Sequence, residues 1–158
     1  MIPFLSELHL SLSRTVPIQY HWIQPLTASL MESITNNHKR FPVSFDGLVF
    51  YVNDDTSRSF LGLHVQEGHQ ELCSIVDDID RIFEKFKLPK FYTERSFHVS
   101  LYWALGNILP SINQELEAKL KLLWKECLLE NDFTEELTVN VSSISCKCGN
   151  KQFTFNLT

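Results

Sequence analysis

Two pairs of β-rich runs are joined by short polar clusters, and this arrangement strongly restricts the fold of the chain. Residues 43–52 and 60–65 are separated by NDDTSR, and residues 137–146 and 152–157 flank the cluster CGNK. Asn, Asp, Ser and Gly favour turns because they tolerate unusual backbone angles or hydrogen-bond their own backbone. Each pair is therefore predicted to form a hairpin, whose strands must be antiparallel.

Three further segments have the periodicity of amphipathic helices, at residues 21–37, 68–87 and 110–130. Their predicted apolar sides comprise Trp22, Leu26, Leu30 and Ile34 in the first, Leu72, Ile75, Val76, Ile79 and Phe83 in the second, and Leu116, Leu120, Leu123, Trp124 and Cys127 in the third. Helices that alternate with antiparallel strands indicate an α+β fold, with the helices packed outside the sheets.

Two more runs, at residues 7–13 and 95–104, are predicted strands that carry the related sequences LHLSL and FHVSL. Side chains alternate between the faces of a strand, so His9 and Ser11 project together, as do His98 and Ser100. The repeat predicts two pseudo-symmetric lobes of antiparallel sheet within a single domain, residues 1–158.

If these two strands lie side by side or about a pseudo-twofold axis, two imidazoles and two hydroxyls converge. Such a cluster suits transfer at phosphorus, where one histidine removes a proton, the other supplies one, and the serines hold phosphate oxygens. An imidazole has an ordinary pKa near 6.5, so one ring can be neutral and the other charged.

A histidine within an apolar strand is more often a hydrogen-bonded core residue than a catalyst. Two copies of one pattern among six histidines favour function over this alternative. The remaining histidines are interpreted as surface or structural residues: His21, His38, His64 and His69.

Charge and composition narrow the classes of partner. A net charge of −5 argues against a protein that coats long nucleic acid, but not against an enzyme that grips one or two nucleotides. The sequence shows no basic leader and no apolar run of membrane-spanning length, so a soluble intracellular protein without a membrane partner is expected.

Neither the cysteines nor the carboxylates predict a metal or another cofactor. The four cysteines lack paired CxxC spacing and are interpreted as free buried thiols. Cys146 and Cys148 would share one strand face, which leaves a metal or redox role as a minor alternative. Asp77, Asp78 and Asp80 form the densest acidic group and are predicted to be a solvated helix face.

The paired His-x-Ser motifs resemble those of the two-histidine phosphoesterase superfamily. Within it, the blocks LHLSLSRTV, HWI, FYTERSFHVSLYWALGN and ISCKCGNKQFTFNL are similar, in order and approximate spacing, to the U6 small nuclear RNA phosphodiesterase family. The resemblance extends over essentially the whole chain.

This resemblance implies a nuclear, monomeric 3′–5′ RNA exonuclease that trims the oligouridine tail of U6 RNA without a metal and leaves a 2′,3′-cyclic phosphate. It implies that His9 and His98 are the acid–base pair, and that Ser11 and Ser100 hold the phosphate. Tyr92 matches the aromatic residue on which the family stacks a terminal base, a contact that any base can make.

The chain departs from the family pattern before its first motif, where family members carry a longer, strand-forming stretch. An N-terminal strand segment is therefore expected to be missing from the domain, which would expose a sheet edge. Two alternatives stay open: a cyclic phosphodiesterase of the same superfamily that acts on small nucleotides or tRNA ends, and a catalytically silent RNA-binding domain.

Overall fold

The structure is a computed structural model that describes residues 2–3, 8–131 and 137–158. Its helices are α1 (Ile23–Asn37), α2 (His69–Lys85) and α3 (Gln114–Glu130), with 3-10 turns at Tyr20–Trp22 and Leu109–Ser111. Its strands are β1 (Ile2–Pro3), β2 (Phe41–Val52), β3 (Arg58–Val65), β4 (His98–Leu105), β5 (Leu137–Val141), β6 (Ser143–Cys148) and β7 (Lys151–Asn156). The predicted α+β class with antiparallel sheets is confirmed. None of the described helices is long and apolar enough to cross a membrane.

The first of two compact units comprises Met1–Ser11, Ser44–Glu67 and Ser96–Thr138. The larger sheet has the strand order β1-β4-β3-β2-β5, and β3 pairs antiparallel with both β2 and β4. Within β3, Leu61, Leu63 and Val65 are buried on one face, so Gly62 and His64 belong to the other. This alternation gives the sheet one face that packs in the core and a second face that carries Gly62 and His64.

The turn between β2 and β3 forms as its composition predicts. Asn53 accepts a hydrogen bond from the backbone N–H of Arg58 at 2.9 Å through its side-chain oxygen. Asp55 accepts from the backbone N–H of Ser57 at 3.0 Å. The Asp55 contact, to the backbone two residues on, mimics a backbone turn, and the Asn53 contact joins the two ends of the loop.

The predicted strand at residues 7–13 is wrong for the residues that can be described. Leu10 makes an isolated antiparallel bridge to Val99, and the chain bends at Leu12 and Ser13, so no longer ladder forms. Glu7 lies outside the described residues. A short strand β1, which pairs antiparallel with β4 at Trp103 and Tyr102, precedes the bridge.

The predicted apolar side of α3 is wrong in part, since two of its five residues are half-buried and three are exposed. Leu116 and Leu123 are 43% and 50% exposed, Cys127 is exposed, and Leu128 is the buried residue among those described in this helix. The helix begins later than the predicted residue 110, after Asn113, whose side chain accepts from the backbone N–H of Leu116 at 2.8 Å and caps the helix. Apolar residues also lie off the predicted stripe, so their spacing did not single out the packed side.

The second unit comprises Leu12–Val43, Gly68–Arg95 and Val139–Thr158. Here α1 and α2 bury the stripes that their spacing predicts, including Leu30 and Ile34 in one and Leu72 and Ile75 in the other. The predicted run at residues 137–146 is divided between β5 and β6 at Ser142, whose carbonyl accepts from Leu157 N–H at 2.9 Å. Strands β6 and β7 form the closing hairpin. The pseudo-symmetry of two lobes stays a prediction.

Candidate active site

Both His-x-Ser motifs lie in the first unit, on neighbouring segments of chain. The bridge between Leu10 and Val99 joins the middle residues of the two motifs. Because the segments run antiparallel there, His9 lies on the Ser100 side of the bridge and Ser11 lies on the His98 side. The structure therefore brings together the four residues that the sequence singled out.

Exposure differs between the two motifs. His9 and Ser11 are exposed, whereas His98 and Ser100 are half-buried in β4. Burial lowers the pKa of His98 below its ordinary value, and the nearby His64 lowers it further. A histidine with a lowered pKa holds its neutral form over more of the physiological range, as a proton acceptor must.

His64 is a third histidine at this face, although the sequence analysis interpreted it as a surface or structural residue. It is the register partner of His98 across the β3–β4 ladder, so the two side chains share one face. The alternation along β3 could have assigned His64 to the face away from the core. Its pairing with His98 depends on long-range register, which no local pattern reveals.

Tyr51 is a second residue that the sequence reasoning missed. Its hydroxyl is hydrogen-bonded to the Ser100 hydroxyl, and its ring centroid lies 3.8 Å from that of His98. On the neighbouring strand, the Phe60 ring stacks on it at 5.1 Å with an interplanar angle of 10°. Tyr51 thus touches one histidine and one serine of the proposed catalytic set.

Tyr92 lies in the second unit and is 39% exposed. The Arg14 guanidinium lies over its ring, with the guanidinium carbon 4.1 Å from the centroid, and Phe91 contacts it edge-on at 5.2 Å. The ring therefore has both aromatic packing and accessible surface. Its role in base stacking stays a prediction.

The acidic group on α2 is only in part the solvated face that was predicted, because Asp77 is exposed but Asp78 is not. Asp78 is 4% exposed and accepts hydrogen bonds from Ser33, Asn37 and His38. A helix is expected to place its charges in water, but here polar groups of α1 and the residue after it surround the carboxylate. Among the described residues, no group of three or more His, Cys, Asp or Glu side chains is arranged to hold a metal ion.

The cysteines differ in part from the prediction of buried thiols. All four are free, but Cys127 is exposed and the others are half-buried. Cys146 and Cys148 do share a face, with their sulfurs 3.8 Å apart. Burial, together with Cys148, raises the pKa of Cys146 to about 12, which disfavours the thiolate that binds metals or attacks disulfides.

A cavity of about 660 Å³ lies elsewhere in the first unit. Its lining includes Gly47, Phe50, His64, Ile112 and Lys121. His64 is the one residue it shares with the face described above, and neither His-x-Ser motif lines it. We therefore place the candidate active site at the two motifs, whose segments are paired at the bridge between Leu10 and Val99.

The two His-x-Ser motifs lie on adjoining segments of an α+β fold with antiparallel sheets, which are the features by which the sequence resembles the two-histidine phosphoesterases. The chain belongs to the family described as "HVSL: Uncharacterised conserved protein", whose model matches residues 3–156, and it is a homologue of U6 snRNA phosphodiesterase 1.

Three relatives with that name show the extent of the similarity. The rat protein is 33% identical over 97% of this chain and 56% of its own length. The human protein is 35% identical over 94% and 55%, and the Drosophila melanogaster protein is 36% identical over 96% and 55%. The chain thus spans about half the length of the curated relatives that it matches.

Two solved structures are similar in fold. The structure of Kluyveromyces marxianus Usb1 has a TM-score of 0.65 and 23% identity, with 99% of this chain and 80% of that chain covered. Its structure with uridine monophosphate has a TM-score of 0.59 and 22% identity, with 95% and 75% covered. At this level of identity the likeness establishes the fold.

Proposed function

We propose that the protein is a metal-independent 3′–5′ RNA exonuclease that trims the oligouridine tail of U6 small nuclear RNA and leaves a 2′,3′-cyclic phosphate. The observation that carries the proposal is the bridge between Leu10 and Val99, which pairs the segment of His9 and Ser11 with the segment of His98 and Ser100. The name shared by the relatives supports the substrate and the nuclear site of action.

The reaction follows from these four residues. The 2′-hydroxyl next to the last phosphodiester attacks phosphorus, and one of His9 and His98 accepts its proton. The bond from phosphorus to the 5′-oxygen of the terminal nucleoside breaks, and that oxygen receives a proton from the other histidine. The nucleoside leaves, and the shortened RNA ends in a 2′,3′-cyclic phosphate.

The serines and Tyr92 bind rather than transfer protons. Ser11 and Ser100 donate hydrogen bonds to the non-bridging phosphate oxygens, whose charge must be stabilised as the nucleophile attacks. Tyr92 stacks on the terminal base, a contact that needs no positive charge and so suits a chain with a net charge of −5. Affinity then depends on one chain end rather than on many phosphates.

The test is incubation of the purified chain with a 5′-labelled oligouridine RNA in the presence of a chelator. We expect a ladder of shorter products with 2′,3′-cyclic phosphate ends. A matched RNA whose penultimate ribose lacks its 2′-hydroxyl should resist the first cut, because it lacks the nucleophile.

Other results would select a different function. Opening of small cyclic nucleotides without trimming of RNA would indicate the cyclic phosphodiesterase alternative. Binding of oligouridine without turnover would indicate a silent RNA-binding domain. Trimming that stops on chelation and returns with magnesium would contradict the metal-independent mechanism.

A further inference from the structure

Tyr51 is linked to the candidate active site by two separate contacts. Its hydroxyl meets that of Ser100, although 49 residues separate them in sequence, and its ring lies against the imidazole of His98. Phe60 stacks on Tyr51, and a stacked aromatic neighbour restricts rotation of its ring. Packing therefore holds the Tyr51 ring in place, and the hydroxyl of Tyr51 contacts Ser100.

The neighbouring strand leaves room for this arrangement at Gly62. A Cβ atom at this position would lie 3.3 Å from Cε1 of Tyr51 and only 2.6 Å from the carbonyl oxygen of Val99. The missing side chain therefore lets β3 and β4 approach closely and lets the Tyr51 ring lie across the strand toward Ser100.

The direction of the hydrogen bond decides what Tyr51 can do. A serine has one O–H donor, so Ser100 can donate to a phosphate oxygen only if that proton is not committed to Tyr51. The phenol can act as the donor because burial raises its pKa, although the bond to Ser100 opposes the shift, and it stays protonated at neutral pH. Ser100 then accepts from Tyr51 and turns its own proton toward the substrate.

We propose that Tyr51 is a positioning residue, which donates its hydroxyl proton to Ser100 and so directs the Ser100 hydroxyl at a non-bridging oxygen of the scissile phosphate. This role rests on the proposed function, since it acts through a phosphate-holding serine. Tyr51 acts on the substrate through its hydrogen bond to Ser100, and its ring separately packs against the imidazole of His98.

The test is a double-mutant cycle of Tyr51→Phe and Ser100→Ala, measured by single-turnover cleavage of oligouridine. Tyr51→Phe retains the ring and its packing but removes the donor. We expect the cleavage rate to fall on the order of tenfold, as for the loss of one positioned hydrogen bond, with a smaller change in KM. In the Ser100→Ala background, the same change should alter the rate less than about twofold, because the partner is already absent.

Tyr102→Phe is the matched control. Tyr102 lies on β4 and is 40% exposed. The β3–β4 register shifts between Leu61 and Gly62, so Tyr102 pairs with Leu61 whereas Ser100 pairs with Gly62, which belongs to the other face. The Tyr102→Phe variant should therefore cleave oligouridine at the wild-type rate. Thermal unfolding of both Tyr→Phe variants should match that of the wild type, which separates positioning from a structural role.

A wild-type rate for Tyr51→Phe would overturn the proposal, as would an equal loss of rate with and without Ser100.

Binding of uridine 3′-monophosphate provides a second double-mutant cycle that needs no turnover. If the wild type binds this ligand but does not cleave RNA, the proposed function fails while the cycle still tests Tyr51. We then expect Tyr51→Phe to weaken binding on the order of tenfold when Ser100 is present and not when it is absent. A wild type that does not bind would contradict both proposals.

Discussion

His38 in the second unit and His98 in the first are histidines with contrasting surroundings. His38 is 8% exposed, and its Nε2 lies 2.9 Å from a carboxylate oxygen of Asp78. His98 is half-buried against the Tyr51 ring and shares its face with His64. The first imidazole has a charged partner of opposite sign, whereas the second has a neighbour that can carry the same sign.

These surroundings have opposite effects on charge. Burial raises the pKa of Asp78, but hydrogen bonds from Asn37, His38 and Ser33 outweigh it, and the pKa is lowered overall. The Asp78 carboxylate is therefore stabilised as a fixed anion, which contributes stability above the ordinary pKa of an aspartate. At His98, burial and His64 both disfavour the proton. One network stabilises a negative charge, and the other favours the neutral form of an imidazole.

The largest expected effects come from replacing each of these two histidines with alanine. His98→Ala should lower the cleavage rate by about 10²- to 10⁴-fold, the usual contribution of general acid–base catalysis, with thermal unfolding little changed. His38→Ala should leave the rate per folded molecule intact but lower the free energy of unfolding by about 1–3 kcal/mol, because a buried carboxylate loses a partner. Single-turnover kinetics and thermal melts distinguish the two. A strongly destabilised His98→Ala with a normal rate would remove the contrast.

Local patterns predicted the parts of the molecule that local forces determine. The stripes of α1 and α2 and the NDDTSR turn follow from helix periodicity and turn chemistry, and the structure contains them. The stripe of α3 was misleading because apolar residues occur around much of that helix, with Leu122 and Leu129 also exposed. Periodicity shows which side can pack, and tertiary contacts determine whether it does.

The residues of the candidate site also fall into those that local patterns reveal and those that depend on tertiary contacts. His9, Ser11, His98 and Ser100 could be found because a repeated motif is visible in the sequence alone. The pairing of His64 with His98 and the contact of Tyr51 with Ser100 depend on strand register across the sheet. Asp78 was misassigned for a related reason, since the donors that surround it lie 40 and 45 residues away in the sequence.

A smaller effect concerns Tyr92, where base binding can be separated from packing. Tyr92→Ala should weaken binding of oligouridine by about 1–3 kcal/mol, the value of one base–aromatic stack, whereas Tyr92→Phe should lose little. Titration of labelled oligouridine and thermal melts provide the measurements. A lower melting temperature with unchanged affinity would show that the contact with Phe91 is the main role of this ring.

The smallest effect is a shift of the pH–rate profile in His64→Gln. Without His64, protonated His98 is less disfavoured, so the pKa of His98 should rise toward its ordinary value. The limb of the profile that reports His98 should therefore move to higher pH, whether His98 serves as the acid or the base. The exposed His21 provides the control His21→Gln. A shift to lower pH, or an equal shift in the control, would contradict the coupling between His64 and His98.

The central claim is that His9 and His98 act as one acid–base pair across the bridge between Leu10 and Val99. Single-turnover cleavage of a uridine-tailed RNA by His9→Ala, His98→Ala and the double variant tests it directly. Residues that act as a unit have non-additive effects. We expect each single change to remove nearly all activity, and the double change to cost little more. A near-normal rate in either single variant, or losses that multiply in the double variant, would contradict the claim.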